Sequence, residues 1–159
     1  MCSLINDDMP LHPEQTIVYS DLSRRQERSL VFHLLYAAES HDYLDSLESI
    51  SDNLSRGFGV EIPFDSLAFQ TAQNIINNRE TLDKQIMPFL QNWRFDRIGC
   101  CTRLILRFAM WELFYTDMPT SIVINEAVEL AKCFSEKDAY KFINGILDEA
   151  VKEKENQQK

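Results

Sequence analysis

NWRFDRIGCCTRLILRFAMWELFY, residues Asn92 to Tyr115, is the stretch on which the fold reading turns. From Asp96 onward, Leu104, Ile105, Leu106, Phe108, Met110, Trp111, Leu113 and Phe114 place apolar groups on nearly every side of a helix. A helix that is apolar all round has no face to offer water and must be enclosed by neighbours. This segment is therefore expected at the centre of a packing of other helices.

The neighbours are legible on both sides of it. Upstream, Leu30, Val31, Leu34, Leu35 and Ala38 recur at helical spacing, with Asp21 or Ser23 as candidate caps. A second amphipathic segment, Tyr43 to Arg56, carries Leu44, Leu47, Ile50 and Leu54 on one side and stops at Gly57 and Gly59. After Pro63, Leu67 to Ile76 reads as a third helix, and Leu82 to Leu90 as a fourth that Pro88 kinks or ends.

Downstream, Asp117-Met118-Pro119 breaks the chain before a sixth helix through Ile122, Ala127, Val128, Ala131 and Phe134. Ser135 to Asp138 has the spacing of a capping box opening a last helix, with Ala139, Phe142, Ile143, Ile146, Leu147 and Ala150 inward. The apolar period runs undisturbed across Asn144-Gly145, so the helix is kept there and Gly145 is read as a close approach of a neighbour. No convincing period-two alternation and no internal repeat intervene. The expectation is an all-α protein of about seven helices.

Composition narrows the function. The 159 residues are 45% hydrophobic and hold only four Gly and five Pro, as in an ordered helical globule. Charges interrupt the apolar segments too often for a membrane span, and the N-terminus lacks the basic and apolar regions of a secretory signal. A cytoplasmic location is expected. Residues 1–21, with Pro10, Pro13 and scattered acids, read as a flexible acidic leader; 22–153 as the folded domain; 154–159 as a disordered tail.

Cys2, Cys100, Cys101 and Cys133 show no metal spacing and read as reduced, packed thiols. His12, His33 and His41 suit neither a metal nor a triad. Asn125 and Glu126 have no nucleophile or paired acid to work with, so neither catalysis nor a cofactor is expected. Arg107 and Glu112, inside the most apolar helix, call for internal partners or an exit to solvent. Trp93 and Trp111 read as core anchors, and His41 to Asp45 as a solvated helix start. A net charge of −9 opposes broad nucleic-acid binding, so any RNA site must be local.

One local candidate exists. At about 100° per residue, Arg25, Arg28, Phe32 and Tyr36 of the first helix share the arc opposite Leu30 and Leu34, with Arg24 at the helix entrance. Guanidiniums grip phosphates in a fork and exposed rings stack unpaired bases. The plainer alternative is a solvated helix turn with rings packed against another helix, and Glu27 and Gln26 dilute the cluster.

The order of residues adds a resemblance. Trp93, Arg97, then Ile105, Leu106, Arg107, Ala109, Glu112 and Leu113 reproduce the W-x-x-x-R spacing and I-L-R-x-A-x-x-E-L core of the NusB family. DMPTSIVINEAVELAKCFSEKDAYKFINGILDEAV, which begins one residue further on at Asp117, is similar to that family's C-terminal signature at nearly every fixed position, and SRRQERSLVFHLLY to its N-terminal arginine element. The resemblance spans about residues 22 to 153, with 38 to 91 matching in helical pattern only.

It implies two small helical bundles packed side by side, and a protein that binds boxA RNA with the ribosomal protein NusE and helps the transcription elongation complex read through terminators in ribosomal RNA operons. By position it implies RNA contacts for Arg24, Arg25, Arg28, Tyr36 and Lys141, to which the helix arc adds Phe32, and partner contacts for Asp138 and Phe142, on one surface formed by the first and the C-terminal helices. Gln26, Glu27 and Thr102 depart from the family pattern, which implies RNA binding that is weaker or more dependent on the partner. Three alternatives stay open: a protein-interaction scaffold with weak or lost RNA binding, an accessory subunit of an RNA methyltransferase, and a homodimer that masks the ring-bearing face.

Overall fold

A computed structural model describes residues 16–159. In it seven α-helices and three 3-10 turns follow one another, and among the described residues the only β-type pairing is one bridge, Ile17 with Val60. The all-α expectation holds. The chain divides into two compact units, Met1–Ile76 and Asn77–Lys159.

The first unit contains α1 (Arg24–Ser40), α2 (Leu47–Phe58) and α3 (Leu67–Asn77, whose last residue begins the second unit). Ser23 starts α1 with a full capping box: its hydroxyl accepts from the Gln26 N–H at 3.2 Å, and the Gln26 side chain accepts from the Ser23 N–H at 2.8 Å. Two orphan donors of the first turn are thereby satisfied. From Arg28 to Leu35 every residue except His33 is buried, so α1 is enclosed over most of its circumference.

α2 is one-sided, with Leu47, Ile50 and Ser51 inward, and it ends at Gly59, whose φ of 64° is left-handed and costs a residue without Cβ nothing. The run His41 to Asp45 is the connection between α1 and α2, not a helix start as expected. Asp42 and Tyr43 have φ of 51° and 58°, incompatible with a right-handed helix, and α2 begins only after Ser46, which caps it by accepting from the Ser49 N–H at 3.2 Å.

The expected leader is corrected at its end. Residues 1–15 lie outside the described part, but Ile17 is held on both sides: its N–H donates to the Gly59 carbonyl at 2.6 Å and its carbonyl accepts from Glu61 at 3.2 Å. A 3-10 turn, Tyr19–Asp21, then leads into Ser23.

The second unit contains α4 (Arg79–Ile86), α5 (Cys100–Tyr115), α6 (Thr120–Phe134) and α7 (Ala139–Gln157). α5 is its centre, touching α4, α6 and α7, with Leu104, Ile105, Leu106, Met110 and Leu113 sealed from solvent. Arg107, buried in that apolar helix, is held by both oxygens of Asp83 on α4, at 2.6 and 2.8 Å. Such a forked pair is how a desolvated guanidinium is tolerated. α4 ends at Ile86, and Pro88 sits in the 3-10 turn that follows, as its missing N–H requires.

Five expectations for this unit fail. Asp138 adopts left-handed φ, 66°, and caps nothing with its side chain, so the capping box is absent. A Cβ on Gly145 would meet nothing within 4 Å, so no close approach explains that glycine; its exposed position in α7 tolerates it. The tail is helical to Gln157, and Lys154 donates to the Leu113 carbonyl, which anchors the end of α7 on α5. Trp93 is 63% exposed and is no core anchor. Cys100 and Cys101 are free thiols, but Cys133 is disulfide-bonded, against the expectation of reduced cysteines; Cys2 lies outside the described residues.

Candidate nucleic-acid interface

The entrance of α1 is where two exposed cations of the first unit follow one another in sequence. Arg24 and Arg25 directly follow the Ser23 cap and are exposed. They stand at a helix N-terminus, whose unpaired N–H groups already favour an anion. Two forked donors beside that positive end make a site for a phosphate rather than for a carbonyl.

The rest of the expected arc behaves differently. Tyr36 is exposed at 44%, but Arg28 is only 9% and Phe32 only 2% exposed. The expectation that all four side chains are displayed together is corrected: the arc is covered in its middle and open at its ends. The physical reason is that Phe32 has nothing to gain from water, and an enclosed helix buries whichever residues fall in its central turns. At 1.5 Å rise per residue, Arg25 and Tyr36 stand about 16 Å apart along the axis.

Phe32 still acts on the open end. Its ring stacks against Tyr36 with centroids 6.2 Å apart and 28° between planes, which fixes the exposed phenol as a rigid platform. His33 meets Phe32 edge-on at 6.0 Å and Phe58 at 5.0 Å. Burial in that aromatic setting pushes the His33 imidazole below its ordinary value, so it is held neutral.

In the second unit, Asp138, Lys141 and Phe142 gather at the start of α7. The Lys141 ammonium pairs with Asp138 at 3.2 Å, and the hydrogen bond to that carboxylate pushes the Lys141 pKa up. Phe142 is half-buried and meets the exposed Trp93 edge-on, centroids 5.6 Å apart. These two rings wall a cleft of about 220 Å³, with Arg97 and Lys137 also lining it.

Glu136 and Asp138 line the same cleft, so its rings can stack a flat group while its rim balances two cations with two carboxylates. Spacing marks Trp93 and Arg97 in the sequence but carries no sign that both are exposed, since exposure is set by what packs beside them. Among the described residues no cluster of His, Cys, Asp and Glu could hold a metal, and no helix is long and apolar enough to cross a membrane.

Comparison with known proteins bears on this arrangement. The profile of the NusB family matches residues 25–152. The transcription antitermination protein NusB of Macrococcus caseolyticus is 37% identical over 134 residues, covering 84% of this chain and 99% of that relative. The protein of the same name from Desulfovibrio desulfuricans is 38% identical over 143 residues, covering 84% and 87%. The solved NusB of T. maritima is similar at a TM-score of 0.68 and 30% identity, over 82% of this chain and 92% of that one.

Proposed function

The chain belongs to the NusB family, and on that footing we propose that it is a transcription antitermination factor. It binds boxA-like single-stranded RNA together with the ribosomal protein NusE, and as part of the transcription elongation complex in the cytoplasm it promotes read-through in ribosomal RNA operons. The work is binding, with no bond made or broken and no cofactor.

The observation that carries the RNA part is the exposed pair Arg24 and Arg25 at the capped start of α1. With a net charge of −9 the protein gains little from diffuse attraction to phosphate, so affinity must come from a few placed contacts. Arg24 and Arg25 take phosphate oxygens, Tyr36 offers a stacking surface held by Phe32, and Arg28 supports from within. In the second unit, Lys141 contributes a cation, while Asp138 and Phe142 meet the protein partner.

The test is a salt-dependent titration with boxA-like RNA, with and without NusE. Arg24→Ala with Arg25→Ala is expected to weaken binding at least tenfold and to flatten the log–log salt dependence by about 0.7 per arginine lost, with the helical CD spectrum unchanged. Equal binding by the double variant would remove the site assignment. The covered Arg28 and Phe32 and the acidic balance favour one second reading, a helical scaffold that holds proteins and not RNA. In that case NusE binds and RNA does not.

A further inference from the structure

Tyr19 lies just before the cationic entrance of α1 and is joined to two helix starts at once. Its hydroxyl accepts from the N–H of Ala68, in the first turn of α3, at 3.0 Å across 49 residues of sequence. The same oxygen receives a hydrogen bond from Ser66 and gives its own proton to the carboxylate of Glu27. A phenol has one proton and two lone pairs, so this hydroxyl is saturated. Burial pushes the Tyr19 pKa up to about 12, and the phenol therefore stays a neutral donor at any working pH.

The backbone around it is equally fixed. Ile17 is bonded on both sides to the Gly59–Glu61 segment, and the 3-10 turn is closed by Asp21 N–H to Val18 and Leu22 N–H to Tyr19, at 2.9 and 3.1 Å. The tyrosine is presented to Glu27 by a strap with little freedom.

Glu27 is the one acid in the first turn of α1. It stands three residues after Arg24, the helical spacing at which a carboxylate and a guanidinium meet. A carboxylate paired there would occupy donors that a phosphate needs, and would lower the local positive potential.

We propose that Tyr19 is a positioning residue for RNA binding: its hydroxyl, seated on the start of α3, holds the Glu27 carboxylate and so keeps that acid from pairing with Arg24. This rests on the RNA reading of Arg24 and Arg25. It explains how an acid within the arginine element is compatible with phosphate binding.

The test is a double-variant cycle on the full chain with boxA-like single-stranded RNA at low salt. Tyr19→Phe keeps the ring and removes the hydroxyl, and is expected to weaken binding about three- to tenfold. Adding Glu27→Gln is expected to restore affinity to within about twofold of Glu27→Gln alone. Unchanged binding by Tyr19→Phe, or a loss that Glu27→Gln does not restore, overturns the inference, because a merely structural tyrosine would weaken both backgrounds alike.

Should Tyr19→Phe not fold, Glu27→Gln by itself decides. A change below about twofold is expected, since the acid is already restrained; a tenfold gain would mean that it competes in the native protein, and overturns the inference. Failure of the RNA reading is seen separately, when Arg24→Ala with Arg25→Ala binds as tightly as the native protein, and the role of Tyr19 then falls with it.

Discussion

α1 and α5 are the most enclosed helix of each unit, yet they treat charge in opposite ways. α5 carries Arg107 in its middle, where the forked contact with Asp83 makes the buried charge tolerable. α1 keeps Arg24 and Arg25 in its first turn, where the enclosure has not begun. Depth along an enclosed helix therefore sorts identical guanidiniums into those buried against a carboxylate and those exposed at the helix entrance. Arg28, one turn further in, already lies on the buried side of that boundary.

The sharpest way to break the contrast is to remove the partner of the interior charge. Asp83→Ala takes the forked carboxylate away from the buried Arg107, and is expected to cost about 3–5 kcal/mol in urea unfolding; a loss below about 1 kcal/mol would show that the pair contributes little to folding. Next, Leu34→Ala in α1 and Leu106→Ala in α5 should each cost about 2–5 kcal/mol by the same measurement, since both side chains are fully buried. If only the α5 variant is costly, α1 is less enclosed than its burial implies.

Ser23→Ala tests the open end of α1. Loss of the capping box should cost about 1 kcal/mol and raise amide exchange at Gln26, leaving Asp83–Arg107 untouched.

The smallest effect concerns His33. Its folded pKa is depressed by burial, so on acidification the unfolded chain takes up a proton first, near the ordinary value of about 6.5. Stability is therefore full above that pH and falls as pH drops below it. His33→Gln should flatten this part of a Tm-against-pH curve, while an identical slope in both proteins would exclude His33 as its source.

Much of this was open to reading from residues alone. Apolar period located α1, α3, α5 and α6, and Ser23 and Gly59 marked a start and a stop, because caps and left-handed stops are local chemistry. The cationic pair at the α1 entrance was legible for the same reason. Local spacing failed where a residue's surroundings are set by distant chain. Ser135 to Asp138 has capping-box spacing, but left-handed backbone at Asp138 prevents it. The tail looked polar enough to fray, yet Lys154 finds the Leu113 carbonyl across 41 residues.

Sequence by itself determined that the chain is helical, where most helices start and stop, and to which family it belongs, because these follow from side-chain period and residue order. Tertiary structure alone decided which members of the Arg25, Arg28, Phe32 and Tyr36 arc meet solvent, that Trp93 lies outside the core, and that the Tyr19 hydroxyl sits on the start of α3. Exposure is a property of what packs alongside, and a hydrogen bond across 49 residues leaves no trace in local spacing.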